Sequence, residues 1–334
     1  MLQLKQILTT KTLTSSQDFP LVPNPKPSGG FMSEVLGPYF PAVFDSSMLA
    51  SYKSCQQLFF KSYIQEYKAK GLSVHLHAGK SFATGVEVAR TEFFANGKPA
   101  AEAVGLGLVA LLQAYGDFDC PMDSAKSAER TAGALEFYFS QYPLEDSPPP
   151  VVLPGGKHGI EFSFAHPLPI LHPVTRDPIL YSGRMDAILA FPDGPRITDE
   201  KTTTSLGASW AHQWDLRAQF MGYAWGCRQA GIPVVGAMVR GISILKTKYD
   251  TQQAPLFFGD WKIDRWYSEM LCHIEEIIER WKSGRWLHNF DHECASFGGC
   301  AFRHACDSAD NSFSLDTMFE RRHWDPITRL ETLL

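Results

Sequence analysis

The 334-residue chain is 44% hydrophobic and 20% charged, with a formal net charge of −5. That is the balance of a globular protein, and it argues against a chain that coats nucleic acid through a broad basic face, since such binding scales with the phosphates neutralised. The first residues lack a continuous apolar stretch, and the longest apolar run, AVGLGLVALL at 103–112, falls short of the roughly 20 residues a membrane helix needs. A soluble, cytoplasmic protein is expected, and its seven cysteines then read as reduced thiols or a metal centre rather than a disulfide framework.

In chain order, residues 1–40 are rich in Thr, Ser, Pro and Gly and read as an extended arm. A capped helix opens at Asp45-Ser46-Ser47 and runs through MLASYKSCQQLFFKSYIQEY, followed by helical stretches at 79–96, 99–115 and 122–142. SPPPVVLPGG is a loop, after which the period changes. GIEFSFAHPL and ILYSGRMDAILAF alternate as strands do, and RITDEKT follows the turn Pro192-Asp193-Gly194-Pro195. An amphipathic helix at 212–230, the apolar run VVGAMVRGISIL and a long helix at 261–282 complete an α/β core with helices on its flanks.

Two strands carry chemistry. Asp186 lies inside GRMDAILAF, where a carboxylate is costly without a partner or a cation. Asp199 and Lys201, two apart in RITDEKT, point to one face, while Glu200 points to the other and leaves its carbonyl beside the two acids. The Asp-Gly turn can set Asp186 against Asp199. Two carboxylates, a carbonyl and an ammonium suit a hard cation and a phosphodiester substrate. The plain alternative is a surface Asp–Lys pair worth ~0–1 kcal/mol. On the following helix Gln219 and Tyr223 are four apart on one face, with Arg217 just before them. An ordinary half-buried helix face is the competing reading.

GRMDAIL, DEKTTTS and LRAQFMGYAWG, in this order and spacing, resemble the G-x-x-D, D-x-K-T and Q-x-x-x-Y motifs of the PD-(D/E)XK nuclease superfamily in its RecB-like branch. The resemblance covers roughly residues 45–307. It implies an α/β, restriction-endonuclease-like central mixed sheet flanked by helices, within one nuclease domain at 41–310 that includes an N-terminal helical part and a C-terminal cysteine cluster, before a tail at 311–334. It further implies that Asp186 and Asp199, with the Glu200 carbonyl, bind Mg²⁺ or Mn²⁺, that Lys201 is the catalytic lysine, and that Gln219 and Tyr223 form the branch's extra motif. The implied activity is hydrolysis of DNA, as an exonuclease acting on a free end or a single strand, alone or beside a helicase or recombination partner. Upstream, the family's G-x-x-x-H helix start looks like GKSFATGVEVA: Gly79 fits, Ala83 stands where the His would be, and Glu87 follows one turn later as the candidate upstream carboxylate. A solvated helix residue is the rival reading of Glu87, and His75 and His77 are not expected to replace the missing ligand.

Near the C-terminus, CASFGGCAFRHAC places Cys294, Cys300 and Cys306 with five residues between each pair. A fourth thiolate would complete a Cys₄ site, and Cys55 is the best candidate. The resemblance supports this, because the AddB and CRISPR-associated RecB-like exonucleases carry one upstream Cys in a Y-x-x-C context, matched here by Tyr52 and Cys55, and three more at the end of the core. It implies a [4Fe–4S] cluster. Those families have two and then five residues between the last three cysteines; single-domain nucleases of phage and prophage-like genomes, with a wider first gap, are more similar. Zn²⁺ is the rival cofactor, with His292 and His304 near enough in sequence to ligate, and four unrelated buried cysteines are the plain alternative. Cys120, Cys227 and Cys272 read as small core residues. Trp210, Trp214, Trp281, Trp286 and Phe290 either stack on single-stranded bases or, as is commoner, fill the core. The missing His also keeps open a non-catalytic protein that binds DNA or a recombination partner on a nuclease scaffold. Residues from 307 onward carry no readable signal.

Overall fold

The computed structural model describes residues 39–71, 73–290, 292–295 and 299–327; nearly all of the expected N-terminal arm lies outside them. In chain order the elements begin with strand β1 (Val43–Phe44), α1 (Ser46–Ser54), α2 (Gln56–Phe59) and β2 (Tyr67–Ala69). Then come α3 (Val74–Arg90), α4 (Ala100–Tyr115), α5 (Ala128–Gln141), β3 (Ile160–Leu171), β4 (Pro178–Phe191) and β5 (Gly194–Thr203). They continue with α6 (Ala208–His212), α7 (Ala218–Gln229), β6 (Gly236–Ile244), β7 (Tyr249–Phe257), α8 (Asp260–Ser283), α9 (Arg303–Cys306), α10 (Ser312–Met318) and β8 (Phe319–Arg321).

Three expected helices differ in detail. The first is interrupted at Cys55, whose extended backbone (φ −161°, ψ 124°) separates α1 from α2. The helix expected at 122–142 starts only at Ala128, where the Ser127 hydroxyl accepts the Arg130 N–H at 3.2 Å and fixes the N-terminus. The helix expected at 212–230 begins only at Ala218, because α6 ends at His212 and the chain turns through Trp214 and Arg217 before α7.

The sheet is mixed, as expected: β1-β4-β5-β6-β7 in order, with β3 added to β4. Antiparallel β4 and β5 are joined by the Asp193-Gly194 hairpin, β5 and β6 are parallel across the α6–α7 connection, and β7 returns antiparallel to β6. β3 runs along one edge of β4, while β1 (Val43↔Leu180) and β5 (Ala187↔Thr198) share the other. The pairing leaves residues 182–186 on that second edge as a notch between two strands. α7 and α8 cover one face around Phe220, Trp225, Trp266 and Ile274. α3, α4 and α5 cover the end of β6 on the other face around Phe82, Leu111, Leu135 and Ile242. A small third cluster (Phe302, Ala305, Leu315 and Phe319) lies under the C-terminal segment, where β8 pairs with β2 some 250 residues earlier. No helix among the described residues is long and apolar enough to cross a membrane.

Candidate active site and cysteine pocket

The strands β4 and β5 diverge immediately after the pair Ala187 and Thr198. At the fork, the Asp186 carboxylate accepts the backbone N–H of Glu200 at 2.9 Å, replacing the ladder bond the divergence removes. Asp199 is 1% exposed and ion-paired to Lys201, whose side chain keeps 31% of its surface open. Burial pushes both acids above the usual carboxylate range; the Asp199 charge pushes Asp186 further, while Lys201 opposes the rise at Asp199. At Lys201 burial works against the ammonium, and the charges of Asp199 and Asp186 outweigh it and raise the pKa. The structure therefore brings the three predicted residues together.

Glu200 points away from them, as strand alternation requires. Its side chain is 1% exposed, and the carboxylate accepts from Arg90 at 3.0 Å and from Tyr138 at 2.8 Å, with Arg240 donating to the Tyr138 oxygen at 3.3 Å. Burial would raise its pKa, but the arginine charges and these hydrogen bonds lower it. This network anchors β5 to α3 and α5, so the carbonyl of Glu200, not its side chain, is what the fork can offer a cation.

Glu87 is half-buried on α3, and its charge acts on a carboxylate that sequence reasoning missed, Glu161. The ladder Ile160↔Ala187 and Phe162↔Met185 puts Glu161 across from Asp186, with Glu161 itself in the left-handed region at φ 50°. Burial pushes the Glu161 carboxyl up to about 7, Arg184 at 2.9 Å opposes this, and the Glu87 charge reinforces it. The one signal in the sequence was a charge inside the strand GIEFSF, meaningful only once the register is known. Ala83 has no donor to offer, and His77 is engaged elsewhere, bonding the Tyr115 carbonyl at 2.8 Å and stacking on Phe118. Gly79 packs against the end of β5, where an added Cβ would meet Thr202 at 3.2 Å.

On α7 the Gln219 amide donates to the Tyr223 hydroxyl at 2.9 Å. Burial raises the Tyr223 pKa, and the Asp199 charge raises it further, which locates the phenol beside the acid pair. Gly183, three residues before Asp186, makes this approach possible: a Cβ there would lie 3.0 Å from the Tyr223 ring and 2.9 Å from Phe164. Gln219, Tyr223, Arg184 and Arg217 line a cleft of about 1200 Å³ that opens on the notch in β4.

Cys55, Cys294, Cys300 and Cys306 all line one cavity of about 520 Å³ and none is in a disulfide. The extended Cys55 that breaks the first helix is one wall. Burial raises the Cys300 and Cys306 thiols, and the charges of Cys55 and Cys294 add to the rise at both. His304 is exposed and does not line the cavity; the His292 side chain lies outside the described residues. Among the described residues, no three His, Cys, Asp or Glu side chains are gathered around a single-ion site.

Of the other cysteines only Cys227 is a core residue; Cys120 is half-buried and Cys272 lies on the exposed face of α8. Trp210, Trp214 and Trp286 are 6%, 7% and 8% exposed and belong to the core, and Trp281 packs against it, so none of these four presents a free face to a base. Phe290, at 82% exposed, is the exception.

A model of the PD-(D/E)XK nuclease superfamily matches residues 46–307. No curated protein matches the chain. Among solved structures, a protein named as an exonuclease of Eubacterium rectale is 12% identical, with a TM-score of 0.44 over 76% of this chain and 86% of that one. A second, SSO0001, is 14% identical, with a TM-score of 0.26 over 58% of this chain and 73% of that one. At such scores neither likeness bears on function.

Proposed function

The chain belongs to the PD-(D/E)XK nuclease superfamily, and from that premise we propose that it is a Mg²⁺- or Mn²⁺-dependent deoxyribonuclease of the RecB-like branch, acting as an exonuclease. The observation that carries this reading is the fork that brings Asp186, Asp199 and Lys201 to one spot, with Asp186 bonded to the Glu200 N–H. Two mutually repelling, buried carboxylates are a donor set that a divalent cation satisfies. Asp186, Asp199 and the Glu200 carbonyl would hold it, with Glu87 and Glu161 on the upstream side. When bound, the cation lowers the pKa of a coordinated water and offsets phosphate charge.

The chain's own groups do the rest. Lys201, held charged by Asp199, orients the attacking water and stabilises the negative charge that grows on the phosphate. Tyr223, positioned by Gln219, donates to a phosphate oxygen at the mouth of the cleft. The Arg90–Glu200–Tyr138 network keeps β5 rigid, so the two strands stay splayed at a fixed distance.

The four-thiol cavity supports a [4Fe–4S] cluster tying α1 and α2 to the C-terminal segment, in a structural role. Anaerobically purified protein should be brown and contain iron and sulfide, and Cys55→Ala should lose both; zinc without iron would refute the cluster.

Labelled single- and double-stranded DNA tests the activity. Degradation is expected with Mg²⁺ or Mn²⁺, and none with EDTA. Activity that survives undiminished in Asp186→Ala and Lys201→Ala would overturn the site assignment.

A further inference from the structure

We infer that the C-terminal segment Arg322–Asp325 is a wall of the substrate cleft that sizes it for one polynucleotide strand, with Trp324 latched to Asp45 as its stacking platform. This rests on the nuclease reading and names the substrate of the same site.

The segment is built into place. β8 pairs with β2, the Arg322 N–H donates to the Glu66 carbonyl at 2.8 Å, and His323 bonds the Glu66 carboxylate at 2.6 Å. The Trp324 indole N–H donates to Asp45 at 3.0 Å, and its ring meets Tyr63 edge-on with centroids 6.0 Å apart. Asp45 is also the N-cap of α1, accepting the Met48 N–H at 2.8 Å. The latch therefore ties the segment to the N-terminus of α1, which lines the same cleft.

The cleft of about 1200 Å³ lies between α1 with residues 182–184, the turn from His212 to Tyr223, and Arg322–Pro326. Its lining carries Lys53, Arg184, Arg217 and Arg322, although the whole chain is at −5. The acids there are Asp45, Asp215 and Asp325, and Arg184 is itself paired with Glu161 at 2.9 Å, so Lys53, Arg217 and Arg322 stand against three carboxylates. The lining is close to balanced, and Lys53, Arg217 and Arg322 supply individual contacts for phosphates rather than a broad positive field. Trp324 is 46% exposed and lines the cleft. Cations beside an aromatic platform are the chemistry of single-strand binding, in which each stacked base adds affinity whatever its sequence. A duplex presents no free base faces to such a platform.

The test is fluorescence anisotropy in EDTA with a labelled single-stranded oligonucleotide and the matching blunt duplex. The full-length protein is expected to bind the single strand at least about 10-fold more tightly. Trp324→Ala should lose about 10-fold of single-strand affinity and reduce the discrimination. Arg322→Glu should weaken binding and lower the salt slope by roughly one phosphate or more. Deoxy- and ribo-oligonucleotides of one sequence report whether the sugar is read. Equal affinity for duplex and single strand, or single-strand binding unchanged in both variants, overturns the inference. Because binding is read without metal, loss of the hydrolytic reading would show separately, as tight binding with no Mg²⁺-dependent cleavage.

Discussion

The carboxylate of Asp186 occupies the position a strand would take, accepting the Glu200 N–H at 2.9 Å just beyond the last pair of the β4–β5 ladder. One side chain thus ends the ladder, satisfies a backbone donor and stands next to Asp199. The cost is electrostatic, since burial and the Asp199 charge both disfavour ionised Asp186.

Asp186→Asn should therefore separate function from stability. An amide oxygen can still accept the Glu200 N–H, while the repulsion with Asp199 disappears. Cleavage is expected to fall by at least about 10²-fold, the usual cost of one group that stabilises transition-state charge. In EDTA the variant should melt at the same or a higher temperature than the parent. A lower melting temperature would show that the carboxylate holds the fork by its charge.

Glu200 and Arg90 make the opposite case. Both are buried, and the pair is bound to Tyr138. Arg90→Met strands a buried carboxylate, and urea denaturation should show a loss of about 3–5 kcal/mol. Glu200→Gln keeps the carbonyl at the fork, so its affinity for Mn²⁺ should hold while stability falls. Loss of Mn²⁺ binding in that folded variant would assign the Glu200 side chain, not its carbonyl, to the metal.

The acid–lysine group is legible in the sequence because strand alternation and an Asp-Gly hairpin leave little freedom: 199 and 201 must share a face, and the turn brings 186 beside them. The strands by themselves give an α/β core, and the mixed sheet is legible only through the family resemblance their motifs carry. What stays hidden depends on long-range pairing. β1 and β8 are two and three residues long, and β8 finds β2 only through the cluster of Phe302, Leu315 and Phe319. Trp210 and Trp214 cannot be told from stacking residues until the core is known, and Glu161 acquires meaning only through its register with Asp186.

Glu161 has a pH signature. Its folded-state pKa of about 7, above the ordinary 4.5, means the native state binds more protons between those values. Stability contributed by the protonated form is present below about 4.5 and is lost as pH rises through 7. In metal-free protein the melting temperature should fall across this window, and Glu161→Gln should flatten the fall. An identical slope in parent and variant would remove Glu161 from the titration.

Lys126 predicts the reverse trend at higher pH. It is 2% exposed, with its ammonium 3.4 Å from the Thr203 carbonyl at the end of β5, and burial lowers its pKa to about 8. Between about 8 and the ordinary 10.5 the unfolded chain binds the proton and the native chain does not, so stability rises with pH there. Below 8 both states are charged, and the full penalty, on the order of 3 kcal/mol, weighs on the fold. Lys126→Met removes that charge and fills a similar volume. The variant should be the more stable protein at pH 7 by urea denaturation, and its advantage should shrink steadily as the pH is raised from about 8 to 10.5. If the advantage is absent at neutral pH, or constant across the range, the ammonium is stabilised by more than one carbonyl, and Lys126 is a strut of β5 rather than a burden on it.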